Sequence, residues 1–332
     1  MPPINTELYS ARLRKRAILP LEEKILISRL SGSLQEKDIS TPVNCQGYGR
    51  IHHFHLHTYP DWSANPLPIL PAMHALGLPT NKLLRAQVFQ NAACNWRCWY
   101  CYVDFTLLSA NQHLSHYFTA DELIDLYLQE DNQAPLLDLS GGQPDITPEW
   151  VLWMMQSLVK RGKAEHVFLW SDDNLSNRYF WKFLTANQRG YIATFPNYAR
   201  VGCFKGYNEA SFAFNTLAEP SLFHQQFEIY RNLLSEGLDM YAYVTFTAPP
   251  HERLAQAIMR FVDKLQFIHH NLPLRTIPLK IDTFTPTHKR IQHPQEQALK
   301  FQHDVHQAWL EELDRRFSAE ERQQPIYNIQ LS

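Results

Sequence analysis

At 332 residues the chain can bury a full-sized core, as one large domain or as one domain with appendages. A formal net charge of −2, from 31 Lys+Arg against 33 Asp+Glu, provides no overall field for nucleic acid or an anionic membrane, although a local basic groove stays open. The longest apolar runs, such as residues 151–155, fall far short of the roughly 20 residues that span a bilayer, and Pro20 with its charged neighbours interrupts any signal-peptide segment over residues 12–24, so a cytoplasmic protein is expected.

In chain order, residues 1–85 read as an extension that wraps a core. They contain an amphipathic helix over 20–37 and a connector rich in proline (Pro60, Pro66, Pro68, Pro71, Pro79). Within the connector, residues 50–62 carry His52, His53, His55 and His57. If this stretch is a strand, His53, His55 and His57 share one face, and a polar face over a barrel mouth is the simpler reading than metal binding.

Strands are expected at 86–90, 136–140, 167–171, 200–204, 240–247 and 277–284. Helices with apolar residues at three and four spacing are expected over 119–130, 147–162, 175–187, 221–237 and 251–270. Thr119 with Glu122, and Thr147 with Trp150, supply helix starts, and Gly162 and Gly237 supply stops. Six strands alternating with helices predict parallel βαβ units, wound either as a partial (β/α)6 barrel or as a doubly wound sheet.

Period two separates these alternatives. Asp138 and Ser140 share a face opposite Leu137 and Leu139, and Lys280 and Asp282 share one opposite Leu279 and Ile281. Strands buried on both faces are normally apolar throughout. Polar inward rows therefore suggest a barrel lumen holding a polar ligand, with an internal Asp138–Lys280 ion pair as the alternative. Residues 86–290 form the expected core. Residues 291–332 carry a terminal helix, with apolar residues from Ala298 to Phe317 at helical spacing.

Three of the five cysteines, Cys94, Cys98 and Cys101, lie within eight residues, just past the end of the first core strand. In a reducing compartment such a cluster more often holds metal than forms disulfides. Three thiolates satisfy three irons of a 4Fe-4S cluster and leave the fourth open for chemistry, whereas electron-transfer clusters take four. Zinc completed by His113 or His116 is the alternative. Placement beyond a strand's C-terminal end, where α/β barrels build active sites, favours the cluster. Trp96, Trp99 and Tyr102 read as exposed residues that line a pocket or shield the metal.

The spacing CxxxCxxC with Tyr100 before the last cysteine resembles the radical S-adenosylmethionine (radical SAM) superfamily over roughly residues 85–285. The resemblance implies a partial (β/α)6 TIM-like barrel with an N-terminal extension and a C-terminal helix. It implies a 4Fe-4S cluster on Cys94, Cys98 and Cys101, whose open iron takes SAM, and an external electron donor of the flavodoxin or ferredoxin type. Gly141, Gly142, Gln143 and Pro144 stand where the family has its GGE motif, with Gln143 departing from the usual Glu. Ser171, Asp172 and Asn174 fall at the ribose position. Lys205 with Gly206 is similar to the Lys-Gly segment of glycyl-radical-enzyme activases and related enzymes, whose lysine pairs with the SAM carboxylate. Val244 and Thr245 fall near adenine, whose amino group should also meet main chain at Tyr100. Cys203 is either a hydrogen-atom donor or a packing residue, and Cys45 receives no role. The resemblance leaves the substrate open among small molecule, nucleotide and protein, with activase-type protein modification or a non-catalytic zinc protein as alternatives. No second cysteine-rich segment suggests an auxiliary cluster.

Overall fold

The computed structural model describes residues 3–331. Its elements in chain order are α1 (Thr6–Ala17), β1 (Ile18–Leu19), β2 (Lys24–Ser28), β3 (Gly49–His55), α2 (Ile69–Ala75), β4 (Leu83–Gln90), β5 (Ser115–Thr119), α3 (Ala120–Gln129), β6 (Leu136–Ser140) and α4 (Glu149–Lys160). There follow β7 (Phe168–Asp173), α5 (Tyr179–Phe183), α6 (Ala186–Ala193), β8 (Tyr198–Phe204), α7 (Glu209–Thr216), α8 (Leu222–Ser235), β9 (Met240–Thr245), α9 (Leu254–Ile268), β10 (Thr276–Leu279), α10 (His293–Arg316) and α11 (Ala319–Gln323).

One seven-stranded sheet, in the order β10-β9-β8-β7-β6-β4-β3, curls into a half-barrel. The six expected strands are β4 and β6 to β10, all mutually parallel, and β3 pairs antiparallel to β4 at the edge. Helices pack on the convex side, where Leu137 and Leu139 join Leu123, Trp150 and Val151 in the main core. The concave side holds a second apolar cluster of Leu84, Ala86, Leu136, Trp170, Val201 and Tyr241, plugged from below by Leu67, Ile69 and Met73 at α2. The lower lumen is thus filled, and only the upper layers, toward the strand C-termini, are polar.

Thr119 and Glu122 form a capping box on α3, and Gly162 and Gly237 take φ values of +63° and +85° just after α4 and α8. Other expectations fail for local reasons. Residues 20–37 form no helix: Pro20–Glu22 and Leu34–Asp38 are 3-10 turns, and Ile25, Leu26 and Ile27 lie in β2 with both faces buried against β5. The N-terminal helix is α1 instead. The helix expected over 175–187 breaks into α5 and α6, because Thr185 caps a new helix through Gln188.

β10 ends at Leu279, so Lys280 and Asp282 leave the lumen pattern. Lys280 donates to Asp61 at 3.0 Å and Asp282 accepts from the Tyr59 hydroxyl at 3.0 Å, which removes the Asp138–Lys280 pair. These contacts, with Trp62 Nε1 donating to Pro278 O at 2.9 Å, tie the connector across the open side of the half-barrel. No helix among the described residues is long and apolar enough to cross a membrane.

Candidate functional site

The chain leaves β4 at Gln90 and enters the cysteine loop, which has no regular structure of its own and is held by partners from across the molecule. Asn91 accepts from the Ala93 N–H at 2.9 Å and donates to Thr147 Oγ1 at 2.9 Å. Arg97 donates to the carbonyls of Cys94 (2.6 Å) and Trp96 (2.9 Å). Arg290 donates to those of Cys101 (2.6 Å) and Val103 (2.9 Å), with its guanidinium 3.6 Å above the Phe105 ring. From α1, Thr6 accepts from Trp96 Nε1 (3.0 Å) and Ser10 accepts from Asn95 (2.8 Å). From α7, Asn215 accepts from Trp99 Nε1 at 3.0 Å. Both tryptophans, expected to be exposed, are buried anchors. Their ring N–H groups find partners, as buried indoles require.

The three thiols lie within mutual electrostatic reach, and Lys205 lies within reach of Cys98 and Cys101. Burial pushes Cys98 up to about 12 and raises Cys101. Metal binding would therefore have to displace protons from them. Among the described residues no group of three or more His, Cys, Asp or Glu side chains is placed to hold a single ion. A single zinc needs its thiolates at about 2.3 Å from one centre, whereas a cubane takes each thiolate on a different iron, so that its ligands stand apart. Three thiols on one loop match in kind and number the protein ligands that a 4Fe-4S cluster with one open iron takes. His113 is exposed, and the ring of His116 packs on Phe118 at 4.9 Å.

The loop after β6 lies against the cysteine loop, and both glycines are needed there. Gly141 has φ +83°, and a Cβ on it would meet the Gln90 side chain at 2.4 Å; one on Gly142 would meet the Asn91 carbonyl oxygen at 2.4 Å. Gln143 N–H donates to Ala93 O at 2.7 Å. The Gln143 side chain, buried at 1% exposure, braces two loops: its Nε2 donates to Asp173 Oδ1 at 2.7 Å and its Oε1 accepts from Asn174 N–H at 2.8 Å. Pro144 opens the following 3-10 turn, where Asp145 pairs with buried Arg200 at 2.9 Å.

Asp173 explains the glutamine. A glutamate at 143 would keep the acceptor for Asn174 but set a second carboxylate against Asp173. Gln143→Glu should destabilise the fold by about 1–3 kcal/mol, the cost of an unsatisfied buried partner. Urea denaturation of the two proteins checks this, and equal stability would show that the brace is not formed.

On the lumen side, Ser140 donates to Asp172 Oδ2 at 2.7 Å, and Tyr100 and Thr245 join hydroxyl to hydroxyl at 3.1 Å. Lys205 follows β8 on the inner row of Val201 and Cys203. Gly206 permits its loop to approach α7, since a Cβ there would meet Phe212 N at 2.6 Å. Burial opposes the charge on Lys205, but Cys203, Tyr100, Cys98 and Asp172 around it outweigh that and raise its affinity for the proton. Among the described residues the ammonium has no ion-pair partner, and hydrogen bonds fix only the backbone, through Gln226 and Asn215.

Alternation places two expected residues on the wrong face. With Asp172 inward, Ser171 points outward and meets the Tyr198 hydroxyl at 2.8 Å; with Thr245 inward, Val244 packs into the convex core. Either can reach a lumen ligand only through its backbone. Asn174 lies beside the cysteines, donating to Asn95 at 3.0 Å. Cys203 is on the inner face, 7% exposed, and burial raises it to about 12; Cys45 is far off beside β3.

His53 and His55 pair with Arg85 and Leu83, opposite the face of Leu84 and Ala86, and His57 lies beyond the strand. They face away from the lumen, so the histidine row does not overlook the mouth. His52 is the inward one, and burial together with Arg50 lowers it to about 3. Sequence reasoning missed Arg97, Arg290 and the α1 contacts. The spacing gave no signal for any of them.

No family model matches the chain, and no curated protein matches it. Among solved structures, one described as the crystal structure of Streptococcus suis SuiB bound to precursor peptide SuiA aligns with 12% sequence identity and a TM-score of 0.38. The alignment covers 55% of this chain and 36% of that chain, so this protein spans well under two thirds of the length of the one it matches.

Proposed function

We propose that this protein is a radical SAM enzyme. The observation that carries the reading is the meeting, at the C-terminal end of one half-barrel, of a braced loop with three thiols and a half-buried lysine ammonium that has no ion-pair partner among the described residues. In this reading Cys94, Cys98 and Cys101 each hold one iron of a 4Fe-4S cluster and leave the fourth open. When bound, the cluster and SAM supply a 5′-deoxyadenosyl radical that takes a hydrogen atom from substrate, after one electron from an external donor of the flavodoxin or ferredoxin type.

The chain's own residues bind, orient and exclude water. Lys205 holds the SAM carboxylate. The backbone of Gly141, Gly142 and Pro144 holds the amino group, with Gln143 fixing that turn through Asp173 rather than touching the ligand. Asp172 and Asn174 serve the ribose, and Tyr100 and Thr245 flank adenine. Residues 86–290 form the catalytic core, with 1–85 supplying the loop-bracing helix and the lumen plug, and 291–332 the outer helix.

Anaerobic reconstitution with iron and sulfide tests the reading. A brown protein whose absorbance bleaches with dithionite, with about four irons per chain as one 4Fe-4S cluster requires, is expected. A colourless protein that takes up one zinc on the same cysteines would overturn it.

A further inference from the structure

One layer below the proposed cofactor contacts, the lumen carries a buried acid that the mechanism above does not use. Asp138 precedes Ser140 by two residues on β6, so it points the same way about 6.6 Å deeper at 3.3 Å per residue. It is 4% exposed and its Oδ1 has no hydrogen-bond partner. Asp172, on the adjacent strand, is close enough to oppose its ionisation.

A second unpartnered group faces the same space. Gln90, 1% exposed, is the cross-strand neighbour of Ser140, and both its amide oxygen and its amide nitrogen lack partners. Buried polar atoms in folded proteins are nearly always satisfied. Here a carboxyl oxygen and an amide oxygen, both on the inner face, can accept from a ligand's N–H donors, while the amide nitrogen has a donor to give.

The charges facing Asp138 decide the ligand's class. The cations are Arg50 on β3 and Lys205 just after β8. Arg50 lies 3.1 Å from His52 Nδ1 and makes no hydrogen bond to Asp138. Lys205 is committed to the SAM carboxylate in the reading above. Two carboxylates then face one remaining cation. We infer that Asp138, with Asp172 and Gln90 one layer above it toward the mouth, is a subsite for the protonated amine of a small substrate. The apolar plug at Leu67, Ile69 and Met73 closes the lumen beneath it, which limits the substrate's depth. The inference rests on the radical SAM reading for the commitment of Lys205, but its test does not require SAM cleavage.

The probe is n-pentylamine, with isosteric 1-pentanol as control, titrated against the reconstituted full-length chain and followed by saturation-transfer NMR. Saturable binding of the amine and not the alcohol is expected, weakened about tenfold or more in Asp138→Asn, as loss of a charge-assisted bond implies. Asp138→Asn and Asp138→Leu should unfold at the same urea concentration as wild type or a higher one, because an unpartnered buried carboxyl is removed. SAM affinity should change less than twofold in Asp138→Asn. Equal response to amine and alcohol, no saturable amine binding, or amine binding untouched by Asp138→Asn would overturn the subsite. So would destabilised variants, which would reveal an internal partner, or a tenfold loss of SAM affinity, which would move Asp138 into the cofactor site. Amine binding by a wild-type chain that neither binds nor cleaves SAM would instead count against the radical SAM reading alone.

Discussion

Replacing any one of Cys94, Cys98 or Cys101 by alanine will abolish assembly of a complete cluster, while Cys45→Ala and Cys203→Ala will retain it. Each loop thiolate has its own iron to hold, so the loss is not shared among the remaining two. Neither spare cysteine can take over: Cys45 is 1% exposed in a turn beside β3, and Cys203 lies on β8, below the layer of Lys205. The fold should survive, since the loop is held by its carbonyls and tryptophans. Asn174 Nδ2 makes only a long approach to Cys94 Sγ at 3.9 Å. Iron content, visible absorbance and circular dichroism of the reconstituted variants separate loss of cluster from loss of fold. Full iron and a wild-type spectrum in Cys98→Ala would remove the basis of the assignment.

Lys205→Met should weaken SAM binding by one to two powers of ten. A charge-assisted hydrogen bond to a carboxylate is worth roughly 1.5–3 kcal/mol, and 1.4 kcal/mol is a decade of affinity. Methionine keeps the apolar stem, so packing beside Tyr100 and Cys203 is little changed. Lys205→Arg should rescue only in part, since a planar fork places its charge differently. Anaerobic equilibrium titration with SAM measures this. Unchanged affinity in Lys205→Met would show that the ammonium does not meet the cofactor.

Much of the half-barrel was legible in the sequence, because its signals are local. Six strands with period-two or apolar character alternate with amphipathic helices, and Leu137, Asp138 and Leu139 show by alternation alone which face meets the helices. What was not legible depends on distant partners. Residues 20–37 read as one amphipathic helix until β5 is available to pair with Ile25–Ile27. β10 looks longer than it is because Lys280 and Asp282 alternate correctly, yet the connector at Tyr59 and Asp61 draws them out of the sheet.

The same division runs through the site. The cysteines and the Gly-Gly turn are contiguous motifs, and the structure sets the two loops against each other. Arg290 reaches Cys101 from 189 residues away, and Gln143 acquires its meaning only from Asp173. Ser171 and Val244 were placed by proximity to the correct strand ends, but each is one residue off the inward row. A one-residue step along a strand reverses the face.

Reductive cleavage of SAM at a cluster held by three cysteines is the step that defines the proposed enzyme. It is tested most directly by incubating the reconstituted full-length chain anaerobically with SAM and dithionite and quantifying 5′-deoxyadenosine by chromatography. The wild type should form it in a reductant-dependent way, and Cys98→Ala should form none. A wild-type preparation that carries the cluster and binds SAM but forms no 5′-deoxyadenosine under these conditions would contradict the proposed cleavage.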